Sequence, residues 1–155
     1  MDSKPSNLAI RPARPEEQTV LVHYQIAMAH ETEDLALDPA TVTAGVRAVF
    51  EDPRKGEYFV AADDDRILGM LLTVPEWSDW RNGTVLWIES VYVLPEARGQ
   101  GIFRRLYQFL AERVQTSPDL YGLRLYVDRR NQNAQKVYEA LGMTREHYEL
   151  YEWLK

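Results

Sequence analysis

Apolar and polar positions along the first fifty residues predict a strand followed by two helices. Leu8 to Arg11 is a short β-prone run. Pro15-Glu16-Glu17 then favours the start of a helix that runs to about Ala29, because proline and acidic residues suit a first helical turn. Asp38-Pro39 supplies an N-cap and a first-turn proline for a second helix, which we expect to end after Phe50.

A hairpin and a long central strand follow these helices. Glu57 to Ala62 and Ile67 to Val74 are β-rich runs joined by a turn of aspartates, so they predict an antiparallel hairpin. Val85 to Leu94 predicts the central strand. Because side chains alternate between the two faces of a strand, we expect one face of it to carry Trp87, Glu89, Val91 and Val93.

The second half of the chain continues the alternation of helices and strands. Apolar residues recur at helical spacing from Ile102 to Val114, and Ser117-Pro118 ends this helix. The remaining predicted elements are a strand from Leu123 to Val127, a helix from Asn131 to Leu141 closed by Gly142, and a final β-segment from Tyr148 to Leu154. No repeat or linker interrupts the sequence, so we expect one α/β domain over residues 1–155.

Composition narrows the setting in which this domain works. The chain has no cysteine, and its three histidines lack metal-ligand spacing, so we expect no metal site. No apolar run approaches the ~20 residues that span a bilayer, and the first residues lack the pattern of a secretion signal. We therefore expect a cytoplasmic protein that does not use a membrane. The net charge of −6 argues against a nucleic-acid partner.

The junction between the central strand and the third helix carries the strongest chemical signal. Gly99 and Gly101 can take backbone angles closed to other residues, and the N–H groups that open the helix point at whatever lies there. Arg98, Arg104 and Arg105 add positive charge at this point of an acidic protein. The arrangement favours a small phosphorylated ligand, and an ordinary turn that uses glycine for its geometry is the alternative.

Two motifs together resemble the GNAT family of N-acetyltransferases. The first runs from Val91-Tyr92-Val93-Leu94-Pro95 into Arg98-Gly99-Gln100-Gly101-Ile102. The second comprises Asn131-Gln132-Asn133-Ala134, Tyr138 and Leu141-Gly142-Met143. The order of the predicted elements is also similar to that of the family, so the resemblance covers nearly the whole chain.

The resemblance implies both a fold and a cosubstrate. The fold is the α/β fold of acyl-CoA N-acyltransferases, with a central, mostly antiparallel sheet that splays at the cofactor site and about four flanking helices. The implied cosubstrate is acetyl-CoA. In the family, the backbone of the central strand binds its pantetheine arm, the glycine turn binds its pyrophosphate, and the later Asn faces its thiol end. The implied cofactor-binding residues are Val91, Tyr92, Val93, Arg98, Gly99, Gln100, Gly101, Ile102, Phe103, Arg104 and Asn131.

One residue of the phosphate motif departs from the family pattern. The family places glycine or alanine where this chain has Phe103. If the ring joins Leu106 and Leu110 on the apolar stripe of the helix, its backbone N–H still faces phosphate. If the ring leans outward, it narrows the pyrophosphate site. The apolar stripe favours the first orientation.

Acetyl transfer to an amine requires a base, because the amine must lose its proton before it attacks. Glu89 lies on the central strand just before Val91 and could take this proton directly or through ordered water; a buried or ion-paired structural acid is the alternative interpretation. Some family members place the base on the strand before the Asn motif, where this chain has Tyr126. Asp128 is a distant second choice.

The departing thiolate benefits from a proton donor, and the resemblance assigns this role to Tyr138. Tyr138 lies seven residues after Asn131, two helical turns along and therefore on the same helical face. A core tyrosine that packs the helix on the sheet is the alternative. Asn131 could cap this helix as well as bind the cofactor. The oxyanion donor is expected to be a backbone N–H of the segment from Val91 to Val93.

The acceptor is less well defined, and we expect a primary amine of a small molecule or peptide. Five acidic residues could form a rim around the acceptor entrance, which would favour a cationic amine; these are Glu31, Glu33, Asp34, Glu76 and Asp79. The alternative is that they are solvated surface charges. Trp77 and Trp80 could wall the pocket, stack on a substrate or lie at a homodimer contact. A non-catalytic acyl-CoA-binding module is the competing function. A dinucleotide-binding domain is disfavoured, because a third glycine and a phosphate-loop lysine are missing.

Overall fold

A computed structural model describes residues 7–155, and the chain divides into two compact units, the first ending at Leu125 and the second comprising Tyr126–Lys155. The assignment of both units to one domain stays a prediction. The elements of the first unit are, in chain order, β1 (Leu8–Pro12), α1 (Gln18–Glu33), α2 (Pro39–Glu51), β2 (Glu57–Asp63), β3 (Arg66–Ser78), β4 (Gly83–Val93), α3 (Ile102–Thr116) and β5 (Leu120–Leu125). Short 3₁₀ helices, Pro15–Glu17 and Pro95–Ala97, precede α1 and follow β4.

The predicted starts of these helices are confirmed, but α1 continues to Glu33 instead of ending near Ala29, because its ladder extends to the left-handed C-cap Asp34. The Asp38 carboxylate accepts a hydrogen bond from the Thr41 backbone N–H at 2.9 Å, which makes it the N-cap of α2. The third helix begins at Ile102 and ends before Ser117, as its apolar spacing predicts. Strand β5 starts and ends earlier than the predicted strand from Leu123 to Val127.

The five strands form one sheet in the order β1-β2-β3-β4-β5, antiparallel except for the parallel pair β4 and β5. Helix α3 covers one face, where Phe59, Leu71 and Ile88 pack with Leu106 and other buried residues. Helices α1 and α2 cover the opposite face, on a second cluster. Alternate residues of each strand therefore reach different cores, which fixes the register of the sheet.

A β-bulge in β4 changes which side chains share a face. Leu72 of β3 pairs with Glu89, but Met70 pairs with Tyr92, so β4 carries one extra residue between these pairs. Ser90 takes a left-handed conformation here, with φ of 51°. The expectation that Glu89, Val91 and Val93 share a face is therefore wrong.

The bulge places the residues that were predicted to share one face of β4 on the two opposite faces of the sheet. Glu89 is paired with Leu72, which packs against the α1/α2 cluster, so Glu89 lies on the α1/α2 face. Val91 and Val93 pack against the α3 cluster instead. The sequence gives no signal for this change of face, because serine is not a residue type that is expected in the left-handed conformation.

Strands β4 and β5 separate before β4 ends. Their parallel register runs from Thr84 paired with Leu120 to Ile88 paired with Leu125. Pairing of β4 with β3 continues to Val93. From Glu89 to Val93, the edge of β4 that faces away from β3 therefore has no strand partner within the described part of the first unit. At the end of this stretch, the Val93 carbonyl oxygen accepts a hydrogen bond from Arg98 Nε.

The second unit contains one helix, α4 (Gln132–Ala140), with Asn131 as its N-cap. Gly142 follows it with φ of 90°, as expected for a residue that closes a helix. The predicted β-segment from Tyr148 to Leu154 is wrong: these residues form no strand, and their large side chains are exposed. Alternation alone does not make a strand, because a strand needs a ladder partner. No helix among residues 7–155 is both long and apolar enough to span a membrane.

Gly69 sets how closely α3 approaches the sheet, and it gives a direct test of this packing. A Cβ at Gly69 would lie 2.9 Å from Ile102 Cγ2 and 3.2 Å from the Tyr92 carbonyl oxygen. Ile102 is buried and β-branched, so it cannot easily move away. We expect Gly69→Ala to lower the free energy of unfolding by about 1–3 kcal/mol in urea denaturation.

The matched control is Gly45→Ala in α2. Gly45 is exposed, and its added Cβ meets nothing within 4 Å among the described residues. Alanine there should raise the free energy of unfolding by about 0.5–1 kcal/mol through helix propensity. Equal effects of the two variants would contradict the close approach at Gly69.

Candidate active site

The turn between β4 and α3 has a backbone that requires glycine and an open surface above it. Gly99 has φ of 76° and Gly101 φ of 77°. An added Cβ at either position would meet no described atom within 4 Å. Glycine is therefore needed here for the left-handed backbone rather than for a packed neighbour, and the space over the turn can admit a ligand.

The N-terminus of α3 opens onto this turn. Gly101 is the N-cap residue and supplies no side-chain cap, and its carbonyl oxygen accepts the first helical bond from the Arg105 N–H at 3.1 Å. The N–H groups of Ile102, Phe103 and Arg104 therefore precede the intrahelical ladder. Together with the helix dipole they form an anion-binding end, as the sequence predicts for a phosphate.

The three arginines of this region do different things. The Arg98 guanidinium donates from Nε to the Val93 carbonyl oxygen at 2.9 Å and from Nη2 to Glu31 Oε2 at 2.6 Å. Arg105 donates to the Leu8 carbonyl oxygen at 2.7 Å, away from the turn. Arg104 is exposed, and its side chain makes no hydrogen bond or ion pair among residues 7–155.

The turn also contains Gln100, whose side-chain amide donates to the Glu96 carbonyl oxygen at 3.2 Å. Glu96 in turn accepts a hydrogen bond from Arg66 of β3. These contacts hold the 3₁₀ segment before the glycines. They leave the backbone of Gly99 and Gly101 facing open space.

Phe103 takes the first of its two expected orientations. The ring is half-buried and packs against the α3 core cluster, with its centroid 6.4 Å from that of Tyr107. Ile102 beside it is buried in the same cluster. A large side chain at this position is therefore directed into the core, and the backbone N–H of Phe103 remains at the open end of α3.

Glu89 lies half-buried on the α1/α2 face, next to the point where β4 leaves β5. Its carboxylate makes no hydrogen bond or ion pair within the described chain. Glu89 is therefore not an ion-paired structural acid within the described chain, which was one of its two alternative interpretations. A carboxylate in this position can accept a proton.

Three candidate residues lie in the second unit, and of their predicted roles the structure bears out the helix cap. The Asn131 side chain accepts a hydrogen bond from the Ala134 backbone N–H at 3.1 Å and so caps α4. Tyr138 lies on α4, and burial raises the pKa of its hydroxyl above the ordinary value of a tyrosine. Asp128 is paired with Arg130, whose hydrogen bonds lower the pKa of this carboxyl to about 2, so it is a poor candidate for a base.

One polar cluster on the α1/α2 face was only partly anticipated. Glu76 Oε2 accepts a hydrogen bond from Trp87 Nε1 at 2.8 Å and another from Arg124 Nη1 at 2.8 Å. The Arg124 guanidinium lies 5.9 Å from the centroid of the Trp87 ring. Glu76 was expected on an acidic rim, whereas Arg124 was missed; its signal is a single arginine within the apolar β5.

Comparison with known proteins agrees with this geometry. The sequence model of the acetyltransferase (GNAT) family matches residues 22–143. The structure is similar to that of a possible acetyltransferase from Clostridium difficile 630, with 38% identity, 97% of this chain and 99% of that chain covered, and a TM-score of 0.90.

Two more distant structures share the fold. An acetyltransferase from Trypanosoma brucei is 20% identical, with 96% of this chain and 100% of that chain covered and a TM-score of 0.71. A ribosomal-protein-alanine N-acetyltransferase from Brucella melitensis biovar Abortus 2308 is 16% identical, with 96% and 99% covered and a TM-score of 0.77.

The chain belongs to the GNAT family of acetyltransferases. Proteins of this family use acetyl-CoA as their cosubstrate. The residues present fit that molecule, because the open backbone of Gly99 and Gly101 and the free N–H groups of α3 form a cradle for a diphosphate.

The orientation of Phe103 gives a prediction about this cradle. Phe103→Ala restores the small residue of the family motif but removes a half-buried ring from the core. We expect the free energy of unfolding to fall by about 2 kcal/mol, less than for a fully buried phenylalanine. The dissociation constant for coenzyme A, measured by calorimetry on the folded variant, should change by less than about threefold. A variant that binds much more tightly would mean that the ring obstructs the site.

Proposed function

We propose that this acetyltransferase moves the acetyl group of acetyl-CoA to a primary amine of a small molecule or peptide. Transfer occurs by direct attack of the amine while both substrates are bound. The observation that carries the proposal is the edge of β4 from Glu89 to Val93, which has no strand partner in the described first unit and leads through one short 3₁₀ helix into the open glycine turn. A cytoplasmic location and a homodimer stay predictions from the sequence.

The cosubstrate is held mainly by main-chain groups. The backbone of Val91, Tyr92 and Val93 binds the pantetheine arm, and the backbone from Gly99 to Arg104 binds the diphosphate. Main-chain ligands suit this purpose because they are fixed by the sheet and the helix and need no reorganisation on binding. Asn131 is proposed at the thiol end, by resemblance to the family, with the side-chain amide that its capping bond does not use.

Glu89 is proposed as the general base. Its carboxylate is half-buried on the α1/α2 face and has no partner in the described chain that would compete for a proton. Across β4, the side chains of Val91 and Val93 belong to the other core. The bulge at Ser90 therefore puts the Glu89 carboxylate, which we propose as the base, and the α3 core on opposite faces of one strand.

Tyr138 is proposed as the general acid that gives a proton to the departing sulfur. Burial raises the pKa of its hydroxyl, so the proton is present at neutral pH. A free thiol has a pKa near ~8.5, below that of the tyrosine, so Tyr138 would not readily protonate a stable thiolate. We propose that it gives its proton to the sulfur while the carbon–sulfur bond is breaking and charge is building up on that atom.

Turnover with a panel of amines tests the proposed function. We expect the wild type to consume acetyl-CoA with at least one of polyamines, amino acids, aminoglycosides or peptide N-termini, measured by release of free thiol. Tyr138→Phe keeps the ring and loses the hydroxyl, so it should lower turnover by about 10²-fold or more while the affinity for coenzyme A is retained. Coenzyme A binding without turnover of any amine would favour the non-catalytic acyl-CoA-binding module.

The role of Glu89 predicts a pH dependence. Glu89→Gln is close in shape but cannot accept the proton of an ammonium group. The free amine becomes more abundant as pH rises toward an amine pKa near ~10, and the need for a base falls. We expect the rate loss of Glu89→Gln relative to wild type to shrink steadily from pH 7 to pH 9.5, in initial-rate measurements at saturating acetyl-CoA. An equal loss at every pH would assign Glu89 a structural role.

A further inference from the structure

We propose that Glu31 of α1 is a positioning residue for the acetyl-CoA site and that it acts through Arg98. The inference rests on the proposed cosubstrate site and assigns within it a role to a residue outside the glycine turn. It follows from the contacts of the Arg98 guanidinium, which is half exposed and is engaged by Val93, Glu31 and the Tyr92 ring.

The Arg98 side chain makes three contacts, two with β4 and one with α1. Its Nε–H donates to the Val93 carbonyl oxygen at 2.9 Å, at the last residue of β4. Its Nη2–H donates to Glu31 Oε2 at 2.6 Å, near the end of α1. Its guanidinium carbon lies 5.6 Å from the centroid of the Tyr92 ring. One side chain therefore fixes the end of the proposed pantetheine-binding strand against α1.

Further contacts show that α1 is built to receive this arginine. The Tyr92 hydroxyl donates to Glu31 Oε1 at 3.4 Å, so both oxygens of the carboxylate are engaged. Tyr24 lies two helical turns before Glu31, on the same face of α1, and its ring centroid is 5.1 Å from that of Tyr92. The Tyr24 hydroxyl donates to the Ile67 carbonyl oxygen at 2.5 Å, which fixes α1 on β3.

Two cations beside the turn thus have separate tasks. Arg98 is half exposed but paired with Glu31, whereas Arg104, on the first turn of α3, has no ion pair among residues 7–155. Arg104 supplies the charge that an incoming diphosphate meets. Arg98 fixes the end of β4 that precedes the turn, and Glu31 keeps Arg98 in place.

Two models make opposite predictions for Glu31→Gln. If Glu31 positions Arg98, removing the charge loosens the end of β4 and weakens the binding of coenzyme A. If Arg98 is itself a phosphate ligand that Glu31 holds back, the same substitution releases Arg98 and strengthens binding. The sign of the change therefore separates the models, whatever its size.

The experiment measures the dissociation constant of coenzyme A by calorimetry. We expect Glu31→Gln to raise it about threefold to fivefold, a modest factor because the ion pair is partly exposed. The matched control is Glu33→Gln, two residues along α1, exposed and without an ion pair in the described chain; it should change the constant by less than about twofold. Glu31→Asp, which keeps the charge, should lie between wild type and Glu31→Gln.

A double-substitution cycle tests whether Glu31 acts through Arg98. If it does, Glu31→Gln adds nothing to the loss caused by Arg98→Ala. In steady-state kinetics with an accepted amine, Glu31→Gln should raise KM for acetyl-CoA and leave kcat within about twofold, which a general loss of folded protein would not do.

The outcomes separate the two proposals. Tighter binding by Glu31→Gln, or a change equal to that of Glu33→Gln, would overturn the positioning role and leave the proposed function intact. A wild-type protein that binds no coenzyme A would instead overturn the proposed function. Additive losses in the cycle would show that Glu31 acts independently of Arg98 and would also overturn the inference.

Discussion

The structure of the candidate site depends on β4 being hydrogen-bonded on both sides along its first half and on one side along its second half. The parallel ladder with β5 ends at Ile88, and the antiparallel ladder with β3 continues to Val93. The β3 ladder keeps the second half of β4 extended although its other edge has no strand partner in the described first unit. An extended edge can bind an extended ligand by main-chain hydrogen bonds as another strand would, without the cost of ordering itself first.

The glycine turn adds an anion site to the end of this edge. Gly99 and Gly101 supply the left-handed backbone, while α3 directs its first N–H groups at the same open space. The side chain at the second position of α3 is not required to be small if it packs inward. Phe103 does so, as the i+3 and i+4 geometry of a helix allows beside Leu106 and Tyr107. The family motif thus specifies a backbone conformation. The identity of a side chain in the motif matters only where that side chain would cover the backbone.

Local signals in the sequence predicted most of the first unit, and contacts between distant residues account for what was missed. The Asp38 cap, the apolar stripe of α3 and the glycine turn are each specified within a few residues. The bulge at Ser90 is a property of the ladder between β3 and β4, so alternation within β4 alone assigns Val91 and Val93 to the wrong face. The pair of Glu31 and Arg98 joins residues 67 positions apart, and no local pattern indicates which carboxylate an exposed arginine will meet. Similarly, the β-prone segment after Tyr148 has a strand pattern but no ladder.

The distribution of carboxylates bears on how an amine would be selected. Two members of the expected acidic rim are neutralised by partners: Glu31 by Arg98, and Glu76 by Arg124 together with the Trp87 indole. A cationic acceptor gains little from a carboxylate that already holds a guanidinium, because the arginine repels it at the same distance. Glu89 is different, since it is half-buried and without a partner in the described chain. Under the proposed function, this unpaired carboxylate is also the base, so binding and activation of the amine would depend on the same side chain.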